Sequence, residues 1–248
     1  MSEKITFFPP TVKVLDLFSG TQSLKPICEE LGYEYYSLDI KEPSTFQTDI
    51  LKWDYKNLDI KFDIIWASPD CIPYSLLTHS WLGRECNGKL VTRFTLEEGM
   101  KNGDKLIEKT FEIIDYFKPK YWFIENPQTG FLKNREIMKD KKYYVTDYCQ
   151  WGFDYKKPTC IWTNREWQTR RCNKHTCPAM IPTGTFTKRG LVCKTHKRNL
   201  GGGSWKGVSK YTTGTNKKQQ EEKHRIPPNL IHSLLVLPVS NSDRLVRQ

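Results

Sequence analysis

Residues 62–75 read F-D-I-I-W-A-S-P-D-C-I-P-Y-S, and the reading of this stretch decides the fold. Phe62, Ile64, Ile65, Trp66 and Ala67 form a short apolar run, the pattern of a parallel strand buried on both faces. The composition then switches to Ser68-Pro69-Asp70-Cys71-Ile72-Pro73. Its prolines fix the backbone direction and leave one thiol at the carboxyl end of the strand, where open α/β sheets bind their ligands. Cys71 is the candidate nucleophile, because a thiol adds to an electron-poor carbon and leaves again, and is reactive even when a few per cent ionised. A lone cysteine is more often a small buried hydrophobe. The weight of the reading therefore rests on what surrounds it.

Upstream, residues 12–17 (V-K-V-L-D-L) read as a strand running into Phe18-Ser19-Gly20, where the glycine permits a tight turn. Residues 24–31 place Leu24, Ile27, Cys28 and Leu31 on one helical face and stop at Gly32. A second strand over residues 33–40 ends in Asp39, about twenty residues past the glycine turn, where a carboxylate can accept ribose hydroxyls. Asp49 follows in Thr48-Asp49-Ile50, where a carboxylate can accept from an adenine amino group. Downstream, the polar residues 76–92 are long enough for a lid. Residues 106–117 repeat apolar positions at helical spacing until Pro119. Residues 121–124 (Y-W-F-I) form another buried strand, ending in Glu125-Asn126-Pro127. Cys71 and Glu125 thus stand at two strand ends on one edge of a parallel sheet. Residues 143–148 and 159–163 close this α/β body, and an apolar helix over 229–237 packs back on it.

Charge divides the chain more sharply than composition does. Residues 156–225 hold seventeen Lys and Arg against three acids, whereas residues 1–155 carry a net −4. A basic second part on a mildly acidic body predicts a polyanion partner, since phosphate contacts by Lys and Arg supply most non-specific nucleic-acid affinity. Trp167, Trp205 and Tyr211 interleave with these basic residues, as base-stacking or packing groups. No apolar run approaches the roughly 18 residues needed to span a bilayer, and Met1-Ser2-Glu3-Lys4 lacks a signal peptide's apolar stretch. The expectation is a soluble, intracellular monomer with no membrane partner, its eight cysteines reduced. Cytoplasm, nucleus and a virus- or phage-encoded origin all stay open. Cys172-x4-Cys177, then fifteen residues, then Cys193-x2-His196 suit a tetrahedral Zn2+ that would staple the basic part.

The order of these motifs resembles the cytosine-5 DNA methyltransferase family. The resemblance is carried by Asp16-Leu17-Phe18-Ser19-Gly20, Asp39, Asp49, residues 68–75 (S-P-D-C-I-P-Y-S) and Glu125-Asn126-Pro127, over residues 12–163. It implies an α/β fold with a Rossmann-like doubly wound sheet of the S-adenosylmethionine-dependent type, and a small basic target-recognition region. Residues 1–163 would be the catalytic domain, 164–225 the recognition region, and 226–248 a returning helix and tail. The implied reaction adds Cys71 to C6 of a flipped-out cytosine while Glu125 holds the N3 and N4 edge. Asp16, Phe18, Ser19, Gly20, Asp39, Ile40, Asp49, Ile50 and Pro69 would line the S-adenosylmethionine pocket. Asn126, Pro127, Ser75 and Lys157 would face the base, and double-stranded DNA would be the partner. The chain departs from the family pattern in having Asp70 directly before Cys71, Lys157 where an arginine is usual, and no Asn before Ile226-Pro227-Pro228. An RNA (tRNA) cytosine-5 methyltransferase and a catalytically impaired nucleic-acid-binding protein are the alternatives.

Overall fold

A computed structural model of the chain describes residues 11–41, 43–86, 88–186, 192–197 and 224–236, with the side chains of Phe186, Val192 and Cys193 outside the described part. Four short strands lead the chain: β1 (Lys13–Leu17), β2 (Glu34–Asp39), β3 (Phe46–Gln47) and β4 (Ile64–Ala67), with α1 (Lys25–Glu30) after β1. Then come α2 (Leu76–His79), the two-residue strands β5 (Glu85–Cys86) and β6 (Lys89–Leu90), and the long α3 (Arg93–Phe117). β7 (Tyr121–Pro127), β8 (Tyr143–Asp147) and β9 (Pro158–Thr163) complete the body. β10 (Met180–Phe186) and β11 (Val192–His196) pair with each other and, among the described residues, with no other strand, and α4 (Pro228–Leu235) follows.

The main sheet has seven strands in the order β3-β2-β1-β4-β7-β9-β8. β3, β2, β1, β4 and β7 run parallel, whereas β9 is antiparallel to both of its neighbours. This is the α/β, Rossmann-like sheet expected from the sequence, with an antiparallel edge that the apolar pattern of residues 143–148 and 159–163 did not reveal. The chain winds outward from β1 to β3, then crosses back to place β4 on the other side of β1. That reversal opens a crevice at the carboxyl ends of β1 and β4.

Alternation along the strands splits the core into two layers. Leu15, Leu17, Ile65, Ala67 and Ile124 pack towards Ile107, Ile113, Ile114 and Phe117 of α3. Val14, Ile64, Trp66, Phe123 and Ile161 pack towards Ile27 and Cys28 of α1 and Leu230, Ile231, Leu234 and Leu235 of α4. β4 is apolar at every position because both layers need it.

α3 starts thirteen residues before the apolar repeat at 106–117 shows itself. Its first half is anchored by polar contacts instead. Thr92 and Thr95 form a reciprocal capping box. Arg135 forks onto Asp104 at 2.6 Å and Glu97 at 3.0 Å. Lys118 ends the helix in the left-handed region at φ 48°. Among the described residues no helix is long and apolar enough to cross a membrane.

One glycine in α3 is required by packing. Tyr74, fully buried, lies against Gly103 and donates to Asp104 Oδ1 at 3.0 Å. A Cβ at Gly103 would stand 2.6 Å from the Tyr74 hydroxyl. Gly103→Ala is expected to cost about 1–3 kcal/mol through overpacking. Gly99→Ala, with nothing within 4 Å of the added carbon, is expected to gain about 0.5–1 kcal/mol of helix propensity. Urea unfolding of both variants checks the difference in sign.

Candidate active site

The loop after β4 carries the thiol in a held conformation. Pro69 is buried, and Cys71, half-buried, opens a 3-10 turn over Ile72–Tyr74. Asp70 is exposed, and its Oδ1 accepts the Ile72 N–H at 2.9 Å, so the carboxylate closes this turn. Tyr74 locks the far end of the loop: its ring lies under α3 and its carbonyl accepts the Phe131 N–H at 2.8 Å. Ser75 caps α2 by accepting the Leu77 N–H on its hydroxyl at 3.1 Å. Residues 76–92, read as a lid, contain α2 and the small β5–β6 hairpin.

The carboxylate comes from the neighbouring strand. β4 and β7 pair in parallel with Ala67 opposite Ile124, so the residues that follow emerge side by side. Glu125 is 6% exposed. Its Oε1 accepts the Tyr148 hydroxyl at 2.8 Å and lies 3.8 Å from Lys157 Nζ. Lys157 also sits 4.8 Å from the centre of the Tyr148 ring. Asn126, 1% exposed, donates from Nδ2 to the Pro69 carbonyl at 3.0 Å and so ties the two loops together. Its Oδ1 is buried without a hydrogen-bond partner among the described residues. Pro127 ends β7, and the next residue, Gln128, donates its N–H to the Pro158 carbonyl.

Opposed forces set the reactivity of Cys71. Burial pushes the thiol pKa up, Lys157 pulls it down, and the charges of Glu125 and then Asp70 push it up again, for a net rise. The Asp70 anion, conspicuous in the sequence, ranks behind Glu125 because its side chain turns to the Ile72 N–H. His224 shares this field. Burial lowers its pKa first and Lys157 next, while Asp70 and Glu125 act the other way. Tyr148 and His224 drew no attention in the sequence: the tyrosine reads as a core residue 23 positions from its partner, and the histidine as part of a basic run.

The loop after β1 forms the other wall of the crevice. Phe18 and Gly20 both take left-handed φ values, 60° and 46°. The Ser19 N–H donates to the Leu38 carbonyl at 3.2 Å and the Gly20 N–H to Asp39 Oδ2 at 2.9 Å. Asp39 Oδ1 accepts the Lys41 N–H, and each carboxylate oxygen keeps a second acceptor direction. The Ser19 hydroxyl is buried without a partner among the described residues, and Ile40 beside Asp39 is 66% exposed. An orphan hydroxyl, a carboxylate and an apolar shelf at the ends of β1 and β2 fit a nucleoside-containing cofactor. Asp49 caps the next turn through the Leu51 N–H at 3.0 Å. Ile50 is buried in the α3 layer, and Asp16 faces the α1 layer, where Tyr35 donates to it at 2.8 Å and burial pushes its pKa up to about 7.

Of the expected metal ligands, Cys172, Cys177 and His196 come together, and the side chain of Cys193 lies outside the described residues. Cys149, between β8 and β9, supplies a fourth donor that spacing alone could not reveal. Trp167 stacks on Trp151 at 5.6 Å, so it packs within the fold. Trp205 and Tyr211 lie outside the described residues.

The chain is 33% identical over 238 residues to a "Probable DNA (cytosine-5)-methyltransferase" of Frog virus 3 (isolate Goorha), covering 91% of this chain and all of that protein. Among solved structures, the Entamoeba histolytica methyltransferase EhMeth superposes with a TM-score of 0.43 at 15% identity, over 66% of this chain and 58% of that one. The S. pombe Dnmt2 methyltransferase gives 0.40 at 13% identity, over 64% and 52%. The chain thus spans little more than half the length of these two structures. No protein-family model matches.

The electrostatics of the thiol predict opposite responses to two substitutions. Lys157→Met removes the cation that lowers the Cys71 pKa, so alkylation of Cys71 should shift to more alkaline pH. Asp70→Asn removes an anion but keeps an oxygen for the Ile72 N–H, and should shift it the other way. Iodoacetamide labelling of the Cys71 peptide, followed by mass spectrometry across pH, measures both.

Proposed function

We propose, because this chain belongs to the cytosine-5 methyltransferase family, that it methylates C5 of cytosine in DNA through a transient Cys71 adduct. The observation that carries this reading is the meeting of Cys71 and Glu125 at adjacent strand ends, with Lys157 acting on both. A stacked cytosine hides its C6, so the base must leave the helix to reach the thiol. In the crevice the Cys71 thiolate adds to C6 and the ring becomes nucleophilic at C5. Glu125 faces the N3 and N4 edge: its free oxygen carries the proton that passes to N3 as the thiolate adds, which neutralises the negative charge on the ring, and the N4 amino group donates to the carboxylate so formed. Tyr148 and Lys157 hold Oε1 of that carboxylate, which aims the group before the base arrives. After methylation a water molecule takes the C5 proton, the C5–H electron pair re-forms the C5=C6 double bond, the C6–S pair returns to sulfur as the thiolate, and the N3 proton returns to Glu125.

S-adenosylmethionine, when bound, supplies the electrophilic methyl group. Phe18, Ser19, Gly20, Asp39 and Ile40 would hold its nucleoside, with the orphan Ser19 hydroxyl as a donor and Asp39 as the acceptor for ribose hydroxyls. Asp49 and Pro69 would border the same pocket. Residues 1–163 are assigned to cofactor and chemistry and residues 164–225 to the nucleic-acid backbone, where the basic excess lies. DNA is favoured by the name of the viral relative. Base extrusion does not itself distinguish the sugars, so RNA is the competing substrate.

Incubation with S-adenosylmethionine and duplex DNA carrying 5-fluorocytosine should give a covalent complex, because the fluorine cannot leave as a proton does. The Cys71→Ser variant should form none while still binding DNA. Tyr148→Phe, which removes one hydrogen bond to a carboxylate, should slow adduct formation about 10- to 100-fold. An adduct on RNA alone would move the assignment to an RNA enzyme. No adduct on any substrate, with the fold intact, would leave a nucleic-acid-binding protein.

A further inference from the structure

Among the described residues the β10–β11 hairpin makes no strand pair with the main sheet. Among the described residues the apolar cluster beneath it has Cys149, Cys177 and Ala179 as buried members, with Cys172 and Met180 partly buried. A two-stranded hairpin on so small a cluster is not independently stable in water. Three of those five residues are thiols, and His196 at the end of β11 joins them.

The donor atoms of Cys149, Cys172, Cys177 and His196 all lie within 4.8 Å of one another. His196 Nε2 is 3.5 Å from Cys172 Sγ and 3.7 Å from Cys177 Sγ. A tetrahedral zinc with Zn–S of about 2.3 Å and Zn–N of about 2.0–2.1 Å has S···N edges of about 3.6 Å and S···S edges of about 3.8 Å. The two S···N separations match tetrahedral edges, and a bound of 4.8 Å on every pair admits three sulfurs and one nitrogen around a single ion but not ligands spread over an iron–sulfur cluster. A disulfide would join only two of the four groups.

Surrounding contacts hold the ligand-bearing segment in place. Asp147, buried at the end of β8, accepts the Cys172 N–H at 2.8 Å and Arg171 Nε at 2.9 Å on Oδ2. The Arg170 carbonyl accepts from the Asp147 N–H and the Thr146 hydroxyl. Such contacts orient metal ligands. Cys149 belongs to the sheet body, whereas the other three donors belong to the basic segment, so the ligand set spans the junction.

We propose that Cys149, Cys172, Cys177 and His196 bind one structural Zn2+, which fastens the basic hairpin to the sheet edge and positions Tyr148. Cys149 follows directly on Tyr148, whose hydroxyl holds Glu125. The metal ligand is therefore the chain neighbour of the residue that aims the carboxylate. The positioning part rests on the function proposed above; the metal site does not.

Full-length protein purified without chelator should contain one zinc per chain by elemental analysis, and Co2+ should replace it with the absorption of a tetrahedral thiolate site. In the zinc-bound wild type, Cys149, Cys172 and Cys177 should resist alkylation by N-ethylmaleimide and become reactive after chelation, a readout that needs no variant. Cys149→Ser and His196→Ala should weaken zinc binding by more than about tenfold, and Cys193→Ser should not. Absence of zinc, iron in its place, or a disulfide between any two of the cysteines overturns the site. Loss of zinc in Cys193→Ser with retention in Cys149→Ser overturns the ligand set. For positioning, chelated protein should form the 5-fluorocytosine adduct at least about tenfold more slowly. An unchanged rate on zinc removal overturns the positioning role and leaves the metal site standing.

Discussion

The parallel pairing of β4 with β7 is the constraint on which the rest of the molecule depends. Its register sets Ala67 against Ile124, so the chain leaves the sheet at two adjacent points and turns the Cys71 loop and the Glu125 strand end towards each other. Both strands need apolar residues on both faces, because α3 covers one side and α1 with α4 the other. The reactive groups can appear only where that requirement ends. Asn126 then joins the two exits through the Pro69 carbonyl, which makes the distance between them a property of the sheet rather than of two loops.

Around this pair the protein balances charge instead of simply burying it. A half-buried thiol is disfavoured as an anion, and both nearby carboxylates add to that cost. Lys157 is the counterweight, and it reaches the site from the antiparallel edge of the sheet, just before β9. A lysine is a point charge, whereas an arginine would offer a planar fork. The ring of Tyr148, under Lys157 and hydrogen-bonded to the same carboxylate oxygen, supplies part of the direction that the ammonium lacks. The antiparallel edge thus completes a site that the parallel strands begin.

The same edge carries the junction with the basic segment. Asp147 and Cys149 flank Tyr148 in sequence. Asp147 binds the backbone of Cys172, and the Cys149 sulfur meets the cluster of Cys172, Cys177 and His196. Any force that holds the basic hairpin is therefore transmitted to the neighbourhood of Glu125 through a three-residue stretch. The basic segment and the Glu125 carboxylate share one physical support.

The amino-acid sequence by itself determined the α/β class, the strand positions around residues 62–67 and 121–124, and the chemical identity of the thiol and carboxylate. Apolar runs ending in Ser-Pro-Asp-Cys and Glu-Asn-Pro are local patterns, and local patterns survive without coordinates. Only the tertiary structure decided that Asp70 closes a turn, that Asp16 and Ile50 are buried in the two layers, and that Tyr148 belongs to Glu125. Only it brought Cys149 to Cys172, Cys177 and His196, 23 and more residues away, and showed the polar anchoring that starts α3 at Arg93. The reason is common to all of these. Each depends on which face of an element a side chain occupies and on what another element places opposite it, and that information is carried by packing across the sheet, not by spacing along the chain.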